Sequence, residues 1–232
     1  MNTLNLLCAG AAQGLVKALQ DGFAAASGVG LQARFGAVGA MKEALLAGEA
    51  CDVLVLTDAL IAALAAEGRV DAATRAPLGR VRTGIALRSG EAQPDVSTPD
   101  ALKAALLAAD FIYFPDAVRS TAGIHFAGVL RELGVFEQLQ PRFRTYPNGA
   151  TAMRAMADCS EPRLIGCTQV TEIRYTQGVQ LVGLLPPQYE LATLYTAAVC
   201  TAAVQPERAA ALIALMTGPA SLALRSAGGF EA

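Results

Sequence analysis

The sequence predicts an α/β protein folded as two lobes. Short apolar runs of strand length alternate with helix-length periodic segments from the first residues onward. Gly-containing turns separate them, and no internal repeat or low-complexity linker breaks the order. With 232 residues, 53% hydrophobic and 16% charged, the chain can bury a core without disulfides or metals and lacks the composition of a disordered polymer.

The elements follow in order. Leu4–Ala9 is an apolar strand, followed by a helix that places Val16, Leu19 and Phe23 on one face, with Gly28 and Gly30 marking its exit. Gln32–Phe35 is a short strand, and Ala40–Ala47 a helix closed by Gly48. Asp52–Thr57 is apolar throughout, as a parallel strand covered on both faces should be. Ala59–Glu67 forms a helix closed by Gly68. Arg80–Leu87 is extended and leaves the first lobe. Ser97-Thr-Pro-Asp opens a helix over Pro99–Ala108, with a hydroxyl cap and proline in the first turn. Phe111–Phe114 is a strand and Thr121–Leu133 a helix ended by Gly134. A helix follows over Ala150–Ala157, then a strand over Leu164–Thr168, a helical turn over Thr171–Tyr175 and a strand over Val179–Leu184. Ala192–Thr201 is a strand heading back, and helices over Glu207–Met216 and Ala220–Ala227 close the chain. The two lobes are joined by crossings near residues 80–86 and 186–195.

Composition narrows the function. Eighteen Lys and Arg face 20 Asp and Glu, for a net charge of -2, and no basic run occurs, which argues against a nucleic-acid partner. The longest apolar stretch, Cys51–Ala66, is broken by Asp58 and falls short of the roughly 20 residues of a membrane span. Five cysteines without a CxxC pair and a single His make a metal site improbable. No phosphate-loop or dinucleotide fingerprint follows a strand, so no cofactor is expected. The odd cysteine count and the direct entry of Met1–Leu7 into a strand give a cytoplasmic expectation, or a periplasmic one if a leader was removed.

Four small turns lie between a strand and a helix: Ala9–Gly14, Phe35–Ala40, Arg119–Gly123 and Tyr146–Gly149. A helix start presents unpaired backbone N–H groups and a partial positive charge, so small residues there let an anion approach. At the carboxyl ends of strands such turns are where open α/β sheets bind ligands. The alternative for any one of them is close helix–sheet packing.

The chain resembles the periplasmic molybdate-binding protein family. The resemblance is carried by Phe35-Gly-Ala-Val-Gly-Ala-Met41, Leu46–Asp58, Val70–Arg75, Ala122–Gly134, Gly178–Gly183, Thr217–Leu222 and Gly229-Phe230. It implies a two-lobed type II periplasmic-binding-protein fold, each lobe a mostly parallel sheet flanked by helices. Residues 1–81 plus 190–232 would form one lobe and 82–189 the other, with a ligand cleft between them. Molybdate binders of the family use serine hydroxyls in the first two turns. The matching positions here are Ala11, beside Ala12 and Gln13, and Ala37, Val38 and Gly39. Thr168 stands at a family tyrosine and Ser120 at a valine backbone position. Loss of the serines removes donors that a tetrahedral oxyanion needs.

The second lobe is more polar, with Arg119, Ser120, Thr121, His125, Asn148, Thr168, Gln169 and Thr171 near the expected cleft, a set suited to a small polycarboxylate. The same fold includes the aconitate isomerases, which shift an allylic proton in a tricarboxylate. That reaction needs carboxylate clamps, a base, and a donor for developing charge. Arg119, Ser120 and Thr121 are candidate clamps, Asn148 and Gly149 a second anion site, and Thr168 and Gln169 orienting groups. His125 is a candidate base or acid, or else a packing residue. Glu172 is the alternative base, or else a solvated carboxylate on a helical turn. The expected function is an isomerase acting on a small organic anion. The alternative is a non-catalytic solute-binding protein for oxyanions or carboxylates serving an ABC transporter.

Overall fold

The structure is a computed structural model that describes residues 3–232. Residues 1 and 2, which the sequence reading places in the first lobe, lie outside the described residues. In chain order the elements are β1 (Thr3–Ala9), α1 (Gln13–Ser27), β2 (Gly30–Gly36), α2 (Val38–Leu46), β3 (Val53–Thr57), α3 (Asp58–Ala66) and β4 (Ala76–Arg88). Next come α4 (Pro99–Ala108), β5 (Phe111–Pro115), α5 (Thr121–Glu132), α6 (Phe136–Leu139), β6 (Phe143–Tyr146), α7 (Gly149–Asp158), β7 (Leu164–Gln169), α8 (Val170–Arg174) and β8 (Val179–Leu184). β9 (Ala192–Val199), α9 (Pro206–Thr217) and α10 (Leu222–Gly228) end the chain.

The chain divides into two compact units, Met1–Val81 with Thr193–Ala232 and Arg82–Ala192. In the first, β1 pairs in parallel with β2 and β3, and β9 closes the other edge of β3 antiparallel. Leu4, Leu6, Leu7, Val53, Leu54, Val55 and Leu56 are all buried, because helices cover both faces of these strands. The buried carboxylate of Asp52 ties the base of β3 down by accepting from the backbone N–H of Asn5 and of Val204, each at 2.8 Å. α1 ends at Gly28, whose left-handed backbone (φ 70°) suits glycine.

The second unit departs from a mostly parallel sheet. β5 pairs in parallel with β6 and β7, but β4 lies antiparallel to both β7 and β8, so the sheet is mixed. One face packs Ile85, Ile112, Phe114 and Cys167 against Leu102 and Leu106 of α4 and Phe126 and Leu130 of α5. The other packs Ala86 and Tyr113 beneath Met153 and Met156 of α7 and Ile173 of α8. α4 begins as the sequence predicts, with Thr98 Oγ1 accepting from Ala101 N at 3.2 Å and Pro99 in the first turn.

Of the five cysteines, Cys8, Cys51, Cys167 and Cys200 are buried and Cys159 partly so, all as free thiols. Among the described residues no single helix is long and apolar enough to cross a membrane.

Candidate functional site

In the first unit Ala9 of β1 lies beside Gly36 of β2, so the turns after both strands share one edge of the sheet. Ala11 and Ala12 form a 3-10 turn that leads into Gln13, the first residue of α1. Ala37 precedes α2, and Val38 and Gly39 are its first two residues. Ala11, Ala12, Ala37 and Val38 are buried. No side chain caps either helix, so these starts offer backbone donors only.

The same edge carries a residue that the sequence reading passes over. Asp58 opens α3, and its Oδ1 accepts from Thr196 Oγ1 at 2.9 Å and from Arg75 Nη2 at 3.0 Å. The Thr196 hydroxyl, together with the Arg75 guanidinium, holds its carboxyl below the ordinary value of 3.8.

In the second unit Pro115 of β5 pairs with Tyr146 of β6, and Tyr113 with Gly166 of β7. The starts of α5, α7 and α8 therefore also share one edge, where parallel strands end. This brings Arg119, Ser120, Thr121, Asn148, Gly149, Thr168 and Gln169 to one end of the sheet. Asp116 shapes the loop before α5, its Oδ1 accepting from Val118 N at 2.7 Å and Arg119 N at 3.0 Å. The Arg119 side chain is exposed, whereas Ser120 is buried and caps α5 without a side-chain hydrogen bond. Gly123 permits the approach of α5. A Cβ there would stand 2.2 Å from the Asp116 carbonyl oxygen and 2.3 Å from that of Pro115.

His125 lies one turn into α5, with Nε2 2.8 Å from the Tyr189 carbonyl oxygen. A carbonyl only accepts, so Nε2 carries the proton and Nδ1 is the acceptor of the neutral ring. The ring ties α5 to the 3-10 turn Pro187–Tyr189.

Asn148 and Gly149 do not form an open anion site. Asn148 Oδ1 accepts from Thr151 N at 2.9 Å and Thr151 Oγ1 at 3.0 Å, as a helix cap. The N–H groups of Gly149 and Ala150 donate to the Glu172 carboxylate. Glu172 is therefore not a solvated carboxylate but is 6% exposed. It also accepts from Thr168 Oγ1 at 2.5 Å and from the backbone N–H of Gln169, the residue that caps its own helix. Burial pushes its carboxyl above the ordinary 4.5, and these four donors only partly oppose that shift.

Two buried hydroxyls on this unit have no hydrogen-bond partner, Thr171 Oγ1 on α8 and Thr83 Oγ1 on β4. Thr83 lies directly across the strand pair from Gln169. Sequence reading includes Thr171 but misses Thr83, whose one signal is a hydroxyl ahead of the apolar run Ile85–Leu87. Among the described residues no three His, Cys, Asp or Glu side chains are grouped to hold a metal ion.

Comparison with known proteins places this geometry. A sequence model of bacterial extracellular solute-binding proteins matches residues 4–231. An aconitate isomerase from Pseudomonas sp is 28% identical over 219 residues, 92% of this chain and 81% of that protein. Among solved structures, the periplasmic molybdate-binding protein of Azotobacter vinelandii superposes with a TM-score of 0.80 at 17% identity, over 99% of both chains. The sulfate-binding protein SubI of Mycobacterium tuberculosis H37Rv gives 0.71 at 18% identity, over 99% of this chain and 86% of that one. The α/β fold is thus that of periplasmic binding proteins, as the resemblance in the sequence implies.

Proposed function

The chain belongs to the bacterial extracellular solute-binding protein family, and on that premise we propose that it binds a small polycarboxylate and shifts an allylic proton within it, as an isomerase of the aconitate type. One observation carries this reading. The starts of α1 and α2 bury alanine and valine where molybdate binders of this fold use serine hydroxyls. A tetrahedral oxyanion would lose those donors, and an unpaired buried oxygen costs roughly 1–3 kcal/mol. A carboxylate is served by backbone N–H groups, by the uncapped start of α5 and by the exposed Arg119 guanidinium. The similarity to an aconitate isomerase supports the same substrate class.

In this reading His125 Nδ1 takes the proton from the carbon beside the double bond and returns it at the far end of the allylic system. The Tyr189 carbonyl, already bonded to Nε2, steadies the imidazolium formed in between. The charge that develops on the substrate carboxylate is met by the N–H groups at the start of α5. Glu172 is held by four donors, so His125 is the better placed base.

The second reading is a non-catalytic binding protein that serves a transporter, and the likeness to molybdate- and sulfate-binding structures favours it. Thermal melts with cis- and trans-aconitate, citrate, molybdate, tungstate and sulfate separate ligand classes, since a ligand of the folded state raises Tm. Aconitate is expected to stabilise the protein, and proton NMR in D2O should then show vinyl conversion with deuterium uptake. Stabilisation by molybdate or sulfate alone sinks the polycarboxylate reading. Stabilisation by aconitate with silent NMR leaves the binding protein.

A further inference from the structure

Every N–H in the first turn of α7 has a partner inside the chain. Gly149 and Ala150 donate to Glu172, Thr151 donates to Asn148 Oδ1, and Ala152 closes the first intrahelical bond to the Asn148 carbonyl. The carboxylate that fills this start is itself buried and fixed from a third side by Thr168 Oγ1 at 2.5 Å. Gly149 makes room for it. A Cβ at that position would lie 1.9 Å from Thr168 Oγ1 and 2.0 Å from Glu172 Oε2.

We propose that Glu172 is a specificity-determining residue, a built-in carboxylate ligand that closes the start of α7 to free oxyanions. The proposal rests on reading this strand-end edge as the anion site, but not on the identity of the substrate. A free sulfate or molybdate could reach these donors only by expelling a carboxylate that four hydrogen bonds hold. It would also bring a second negative charge beside the first. Selectivity then comes from occupation. The donors at the start of α7 are already taken.

Two measurements test this without any polycarboxylate. In amide 15N–1H spectra of the unaltered protein, the Gly149 and Ala150 resonances should not move with sulfate, molybdate or formate beyond a sodium chloride control. A saturable shift at these two amides overturns the proposal. Glu172→Ala should lower Tm by about 5 °C, and roughly 0.1 M formate should restore at least half of that loss. Formate should leave the unaltered protein and Glu172→Gln unchanged. No rescue of Glu172→Ala, or an equal rise in the unaltered protein, refutes the built-in ligand. If Glu172→Ala fails to fold, the amide titration decides alone. Failure of the polycarboxylate reading would show separately, as a lack of response of the unaltered protein to aconitate and citrate.

Discussion

Asp58 and Glu172 each lie in the first turn of a helix that follows a strand, one in each unit, and their surroundings move their protons in opposite directions. A helix start favours negative charge in both cases. Asp58 stays near solvent beside Arg75 and the Thr196 hydroxyl, and its carboxyl is held low. Glu172 has four donors and yet is held high, because burial outweighs them. The two units thus build the same kind of edge for different purposes. The first lines α1 and α2 with alanine and valine and lets its one carboxylate face a cation. The second buries hydroxyls, amides and an acid together.

That contrast can be broken at several points. The largest effect is expected at Gly123→Ala, where the new methyl meets the backbone carbonyls of Pro115 and Asp116. Overpacking against groups that cannot turn aside should cost about 3 kcal/mol, read as a fall in the denaturation midpoint with an unchanged m-value. Wild-type stability would show that this edge is looser than described.

Next is the pH response of Glu172→Gln. The folded-state pKa of Glu172 lies above the unfolded value of 4.5, so its contribution is complete below that value. It is lost as pH rises through the folded pKa. Melts taken from pH 4.5 upward should lose stability in the unaltered protein, and the variant should remove the larger part of that slope. An unchanged slope would place the titration elsewhere.

Thr83→Val should raise stability by about 1 kcal/mol, since it removes a buried hydroxyl without a partner and keeps the shape. If Thr83 meets the ligand, the same variant weakens its binding, so a gain in Tm with a loss of affinity is the expected pair of results. A destabilised variant would mean that the hydroxyl is satisfied in solution.

The smallest effect belongs to Asp58→Asn. Its lowered pKa contributes stability above 3.8 that disappears as pH falls. With this pair solvent-screened, the acid limb of the melting curve should shift by only about 1–2 °C. A large shift would erase the distinction between the two edges.

Much of the fold is legible locally. Thr98 and Pro99 mark the start of α4 by chemistry that needs no distant partner, and the predicted Pro99–Ala108 agrees with the helix found. The apolar run of β3 likewise states its own burial. β6 was not legible, because Phe143-Arg-Thr-Tyr146 has no apolar run and becomes a strand only by pairing with β5. α6, four residues long, is equally short of signal. At the site, the strand-end positions of Ser120 and Asn148 follow from turn chemistry. The burial of Glu172 does not, since it depends on a helix start more than twenty residues earlier in the chain.

The border between the units also orders events during synthesis. Arg82–Ala192 is one continuous stretch, whereas the first unit is completed only by residues from Thr193 onward. β3 therefore emerges with one edge unpaired and must wait for β9, which joins it from Val53–Val199 to Thr57–Tyr195. At ribosomal rates that interval is on the order of ten seconds. Through it the chain carries an apolar, unprotected strand edge of the kind that recruits other chains. Aggregation of nascent protein should thus begin at Val53–Thr57, and the second unit is the part that can finish folding on the ribosome first.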